Sequence, residues 1–197
     1  MAASIENHTL SPAADVNRYR IGVCVALAAI VMMFTSLSSA YIVRAGTSND
    51  WYPVAVPPIL FLSTVLILVS SGTLEVARRK LKSAVLGGSS SWLMMTALLG
   101  LAFLVSQVIA WKQLSGQGIY VSSNPHSSFF YLLTVAHAVH LFGGFVALLY
   151  LIVRTRQVPG IAIVDAKRRA VADAVSIYWH FMDVLWIYLF VLLFFWR

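Results

Sequence analysis

The 197-residue sequence is 60% hydrophobic and 11% charged, with a mean hydropathy of +0.83 and a formal net charge of +7. Soluble domains carry roughly 25% charged residues, so a chain this apolar cannot cover itself with a polar surface, and lipid is its expected solvent. The lone cysteine, Cys24, excludes an internal disulfide framework or a CxxC pair. Inside its apolar run it reads as a small buried hydrophobe.

In chain order, residues 1–19 are polar and mixed, with Asn7, Pro12 and Asn17. They read as a loosely ordered tail ahead of a membrane domain over 20–197. The tail is too polar, and the first apolar run too long, for a secretory signal, so no cleavage is expected. Five apolar segments follow, at 21–43, 54–76, 91–111, 128–153 and 174–195. Each can cross a hydrocarbon core of about 30 Å as a helix. Pro57 and Pro58 stand at the entry of the second, where proline is tolerated because first-turn N–H groups lack helical partners. No strand alternation appears, and only helices or closed barrels span lipid. The expected fold is an all-α integral membrane protein with five transmembrane helices. The longest connections are 112–127 and 154–173. An internal repeat of the transporter kind is absent.

The basic residues divide unequally between the two sides. Arg18, Arg20, Arg78, Arg79, Lys80, Lys82, Arg154, Arg156, Lys167, Arg168 and Arg169 fall on one side; Arg44, Lys112 and Arg197 fall on the other. The positive-inside rule therefore predicts a cytoplasmic N-terminus and an outside C-terminus. The same asymmetry accounts for the net charge without nucleic acid, and a basic inner face favours anionic lipid headgroups.

Ionisable residues within the spans are costly in lipid and each requires an explanation. The fourth segment holds His137 and His140, the fifth His180 and Asp183, and the second Glu75, while Gln107 lies in the third. These four His and Asp residues are the candidate lipid-contacting or buried polar network. At a rise of about 1.5 Å per residue, His140 and Asp183 both fall near the midplane, and a pairing between them is expected. Glu75 reads as the i, i+4 partner of Arg79. The four residues together could supply three nitrogens and one carboxylate to a metal, or paired histidines to haem. His-x-x-His alone is a weak signal, and buried hydrogen bonding or headgroup contact is the preferred reading. Gly144 and Ala147 share a helix face with the two histidines, and Thr96 with Gly100 forms a small-xxx-small pair; both suit close helix packing. His126, in the external connection, reads as solvated or interfacial. Trp51, Tyr52, Trp92, Trp111, Trp179 and Trp196 read mostly as an interfacial aromatic belt. No nucleotide-binding, serine-hydrolase or zinc-protease motif is present.

The run from Tyr178 to Trp186, Tyr-Trp-His-Phe-Met-Asp-Val-Leu-Trp, resembles the last-helix signature of subunit III of haem-copper respiratory oxidases. Phe130 to His140, with its Thr134-x-x-His137-x-x-His140 core and Gly143-Gly144 beyond, is similar to another helix of that family, as are Ser70-Ser71, Gly100 and Gln107. The likeness covers about 20–197 and fits the short five-helix bacterial form. It implies a non-catalytic chain in a proton-pumping, oxygen-reducing complex of the bacterial cytoplasmic membrane. It also implies subunits I and II as partners, haem and copper held by those subunits, bound phospholipids, and possible membership of a respiratory supercomplex. The chain departs from the family's pattern where glutamates are common. Ala110 stands three residues after Gln107, and the run from Pro57 to Thr64 carries no acid. Quinol oxidases and nitric oxide reductases carry similar subunits and remain alternatives, as does a stand-alone histidine-liganded haem or metal protein.

Overall fold

The computed structural model describes residues 12–47, 49–52, 57–82, 89–157 and 162–195. They form five helices and, among the described residues, no strand: α1 (Pro12–Thr47), α2 (Ile59–Lys82), α3 (Ser89–Gly116), α4 (Pro125–Gln157) and α5 (Ala162–Phe195). All five contain a stretch long and apolar enough to cross a membrane. The chain is therefore a multi-pass membrane protein.

Each expected segment meets one helix, but the bounds differ: α2 starts at Ile59, after Pro57 and Pro58 rather than ahead of them, while elsewhere the helices outrun the apolar segments. α1 begins at Pro12, so the second part of the expected 1–19 tail is helical. α5 begins at Ala162, and most of the expected 154–173 connection is likewise helix. Hydropathy measures the part of a helix that suits hydrocarbon; hydrogen bonding carries the helix on into water.

Local chemistry fixes the α3–α4 turn. The Ile119 N–H donates to the Leu114 carbonyl and the Gly118 N–H to the Ser115 carbonyl, each at 3.1 Å. This is a Schellman cap, and it places Gly118 in the left-handed region at φ +77°. Six residues after Gly118, Asn124 and Ser127 cap α4 reciprocally. The Ser127 N–H donates to Asn124 Oδ1 at 2.9 Å, and the Asn124 N–H to Ser127 Oγ at 3.2 Å. Pro125 takes the first helical position, where its missing N–H costs nothing. Gly118→Ala is expected to destabilise the bundle by about 1 kcal/mol, the cost of a Cβ in the left-handed region. Detergent-titrated unfolding followed by tryptophan fluorescence measures it.

α2 and α3 form the most intimate pair. α4 packs on α3 and α5, and α2 packs on α5. α1 packs on α4 and α5 and meets neither α2 nor α3. The helices around α5 therefore leave a gap between α1 and α2. The core is aromatic at its centre: Trp179, Trp186, Tyr41, Phe34, Phe103 and Phe130 are all buried. Outward-facing side chains on α3 and α4 are largely aliphatic, as Leu98, Leu101, Val105, Val135, Val139 and Val146 illustrate.

Three expectations fail here. Cys24 is exposed on the outside of α1 rather than buried. His126 is buried, with its ring 5.1 Å from Trp51 and 6.0 Å from Tyr41, because the start of α4 tucks beneath the end of α1. Trp179 belongs to the core and not to an interfacial belt. Trp196 lies outside the described residues.

Candidate functional site

The polar side chains of α2 and α5 meet along one seam. The helices run antiparallel, so as α2 numbers fall the facing α5 numbers rise. At the basic end, Arg78 bridges the pair. Its guanidinium holds Glu75 on its own helix at 2.7 Å and Asp173 on α5 at 3.0 Å. Lys82 adds a second link to Asp173 at 2.8 Å. Glu75 also takes the expected i, i+4 partner, Arg79, at 2.9 Å. Glu75 thus faces two guanidiniums, and its side chain is 25% exposed. Partly exposed pairs of this kind contribute about 0.2–1 kcal/mol each; together they fix the rotation of α2 against α5.

Further along lies a trio. Ser71 Oγ and His180 Nδ1 are hydrogen-bonded to each other. Asp183 Oδ2 lies 3.9 Å from the same Nδ1, and Glu75 Oε2 lies 3.9 Å from His180 Nε2. The residue types are those of a hydrolase triad, but the arrangement is not. A triad needs the carboxylate on one ring nitrogen and the nucleophile on the other. Here Ser71 and Asp183 crowd the same nitrogen, so the ring cannot relay a proton between them. Asp183 is 3% exposed, and neither of its carboxyl oxygens has a hydrogen-bond partner among the described residues.

Beneath this trio is a fully paired layer. The Trp179 indole N–H donates to Ser70 Oγ at 3.2 Å. Ser70 donates to the Thr96 carbonyl at 3.4 Å, and the Thr73 and Thr96 hydroxyls meet at 2.9 Å. Two turns further along α5, the Trp186 indole N–H donates to Thr64 Oγ1 at 3.0 Å. Towards the other end, Gln107 Nε2 donates to Ser63 Oγ at 3.1 Å, tying α3 to α2. The seam closes on aromatic contacts: Phe61 stands edge-on to Phe190 at 5.1 Å and to Phe194 at 5.8 Å.

Two of the four candidate residues, His180 and Asp183, share this seam. The other two do not. His137 is fully buried on α4, among Trp186, Phe103 and Phe34 at 5.2, 6.1 and 6.5 Å between ring centres, and neither ring nitrogen has a hydrogen-bond partner among the described residues. His140 turns its Nδ1 to the Ala136 carbonyl at 2.7 Å and its ring to Phe34 at 5.8 Å. The expected Asp183–His140 pair does not form: Asp183 faces α2, while His140 faces α1. A single four-residue metal site is not formed either, and among the described residues no three His, Cys, Asp or Glu side chains come together as a metal site. Sequence reasoning missed the cross-helix roles of Ser71, Asp173 and Trp179. Ser71 and Glu75 at i, i+4 opposite His180 and Asp183 at i, i+3 was the signal that could have found the seam.

Five apolar helices whose interior polar groups largely bond one another define a multi-pass membrane bundle. The family described as cytochrome c oxidase subunit III matches residues 5–197. The chain is 30% identical over 185 residues to a probable cytochrome c oxidase subunit 3 of Mycobacterium tuberculosis, covering 92% of this chain and 89% of that one. It is 33% identical over 177 residues to cytochrome c oxidase subunit 3 of Thermostichus vulcanus, covering 88% and 85%. A Corynebacterium diphtheriae relative of the same name is 29% identical over 186 residues. The chain belongs to the cytochrome c oxidase subunit III family, and with it to the subunits of an oxidase complex.

Proposed function

We propose that this chain is the non-catalytic, lipid-binding subunit III of a proton-pumping terminal oxidase of aerobic respiration. It sits in the bacterial cytoplasmic membrane with its N-terminus inside and its C-terminus outside. Haem and copper belong to subunits I and II. This chain supports assembly of those subunits, their proton uptake and their durability in turnover. The observation that carries the reading is the family match across all five spans. The apolar outer faces suit acyl chains, and the clustering of Arg78, Arg79, Lys80 and Lys82 at the end of α2 suits anionic headgroups.

The test compares oxidase purified from native membranes with oxidase from a strain lacking this chain. The expected result is an unchanged haem spectrum per catalytic core, with oxygen consumption that decays in fewer turnovers. A core without haem, or one equally durable, contradicts the proposal.

Asp183→Ala gives a finer measurement. Removing the carboxyl beneath His180 is expected to lower the ratio of this chain to haem in the purified complex, with haem per core unchanged. Quantitative mass spectrometry against the haem absorbance reads both. Loss of haem from a complex that retains this chain contradicts the expectation.

A further inference from the structure

Polar side chains inside the spans commonly close on their own helix. Ser63, Thr64, Ser106 and Thr134 each donate to a carbonyl three or four residues back at 2.6–2.8 Å, and His140 Nδ1 lies 2.7 Å from the Ala136 carbonyl. Three buried groups near the centre of the bundle do not. Ser38 Oγ, Gln107 Oε1 and both ring nitrogens of His137 have no hydrogen-bond partner among the described residues, and none of the three side chains is open to the surface. Such atoms are costly away from bulk water. Helix geometry brings them together. The His137 ring stands 6.5 Å from Phe34 of α1 and 6.1 Å from Phe103 of α3, between ring centres. Ser38 lies one turn past Phe34, and Gln107 one turn past Phe103, both towards the end where α4 begins. The contact of Tyr41 with Phe129 fixes this register, because Ser38 stands between two α1 residues that both pack on α4. Side chains lean towards the N-terminus of their own helix. His137 therefore leans towards that end, while Ser38 and Gln107 lean back to meet it. Gln107 Nε2 is held by Ser63, so Oε1 is the atom left to bond.

We propose that His137, Ser38 and Gln107 form a binding site for ordered water in the centre of the bundle, and that this water ties α1 to α4 and α3. The chemistry of the set selects the ligand. An amide oxygen, a hydroxyl and an imidazole mix donors with acceptors, and the set holds neither a carboxylate for a cation nor a guanidinium for an anion. Buried water makes about three hydrogen bonds, each to a group otherwise unpaired. The tie matters most for α1. It is the least enclosed of the five spans, and it packs on α4 and α5 but meets neither α2 nor α3 directly. Water between Ser38 and His137 gives α1 a directional link to the core where its other contacts there are rings against rings. The site holds whichever complex the chain joins.

The test is a density map of the complex isolated from native membranes, at a resolution that shows ordered water. The expected result is a peak about 2.7–3.2 Å from a His137 ring nitrogen, bonded in turn, directly or through a second such peak, to Ser38 Oγ or Gln107 Oε1. A map with no such peak, or with a peak that continues as a lipid chain, overturns the inference. A double-mutant cycle on the full chain tests the tie itself. Ser38→Ala is expected to shift the detergent-unfolding equilibrium about threefold towards the unfolded state, the scale of one polar contact between membrane helices. In a His137→Phe background, which keeps the ring volume but cannot hold the water, the same change is expected to have no effect. Equal shifts in the two backgrounds overturn the tie. Should His137→Phe fail to insert, the map decides alone.

Discussion

Trp179→Ala is expected to destabilise the bundle by about 3–5 kcal/mol, the range for deleting a buried aromatic side chain. Trp179 is fully buried where three helices converge. Its ring lies against Gly100 of α3 and close to Gly144 of α4, and its N–H is fixed on Ser70 of α2. Alanine there leaves a cavity on three sides and strands a buried hydroxyl without its donor. Trp179→Phe separates the two contributions. It keeps much of the volume and loses the hydrogen bond, so about 1–2 kcal/mol is expected. Unfolding in a graded series of denaturing detergent, followed by circular dichroism, measures both. Near-equal stability of the alanine variant and the parent would show that the indole does not organise the core.

Gly100→Ala is expected to cost about 1–3 kcal/mol, the range for overpacking a well-filled core. A Cβ at residue 100 would meet the Trp179 ring at 2.8 and 2.9 Å. That ring cannot swing aside, because it is buried and its N–H is anchored. The two predictions are coupled. In a Trp179→Phe background the added methyl finds more room, so the cost of Gly100→Ala is expected to fall. A double-mutant cycle reads this coupling directly. Additive effects would mean that the close approach is not what requires glycine. Gly144 makes the equivalent approach to Tyr178, at 2.8 and 3.0 Å, with the Tyr178 hydroxyl donating to the His140 carbonyl at 2.8 Å.

The five spans were legible in the sequence because a run of apolar residues longer than a bilayer core has few other uses. Helix ends were less legible. The charged stretch that opens α5 is polar enough to look like a loop, although nothing in it breaks a helix. Pairing across the bundle was legible in depth but not in rotation. His140 and Asp183 do lie at comparable depth, yet equal depth leaves the facing direction free, and α5 turns Asp183 towards α2. His126 was misread for a related reason: position in a connection suggests water, but the fold brings Tyr41 and Trp51 over it. Glu75 was read correctly where the partner was local, four residues away on the same helix. The link from Arg78 on to Asp173, 95 residues away on α5, required the tertiary arrangement.

The Ser71, His180 and Asp183 trio shows why residue types alone do not define chemistry. Both oxygen-bearing partners approach one nitrogen, and the other nitrogen looks towards Glu75. The arrangement serves to hold an imidazole at a membrane-facing seam.

The most direct measurement is isolation of the tagged chain from its native membranes in mild detergent, with mass spectrometry and a reduced-minus-oxidised haem spectrum of what comes with it. Subunits I and II, an oxidase haem signal and cyanide-sensitive oxygen consumption are expected. Recovery with a nitric oxide reductase instead, or recovery of the chain alone carrying its own haem or metal, would contradict the oxidase reading.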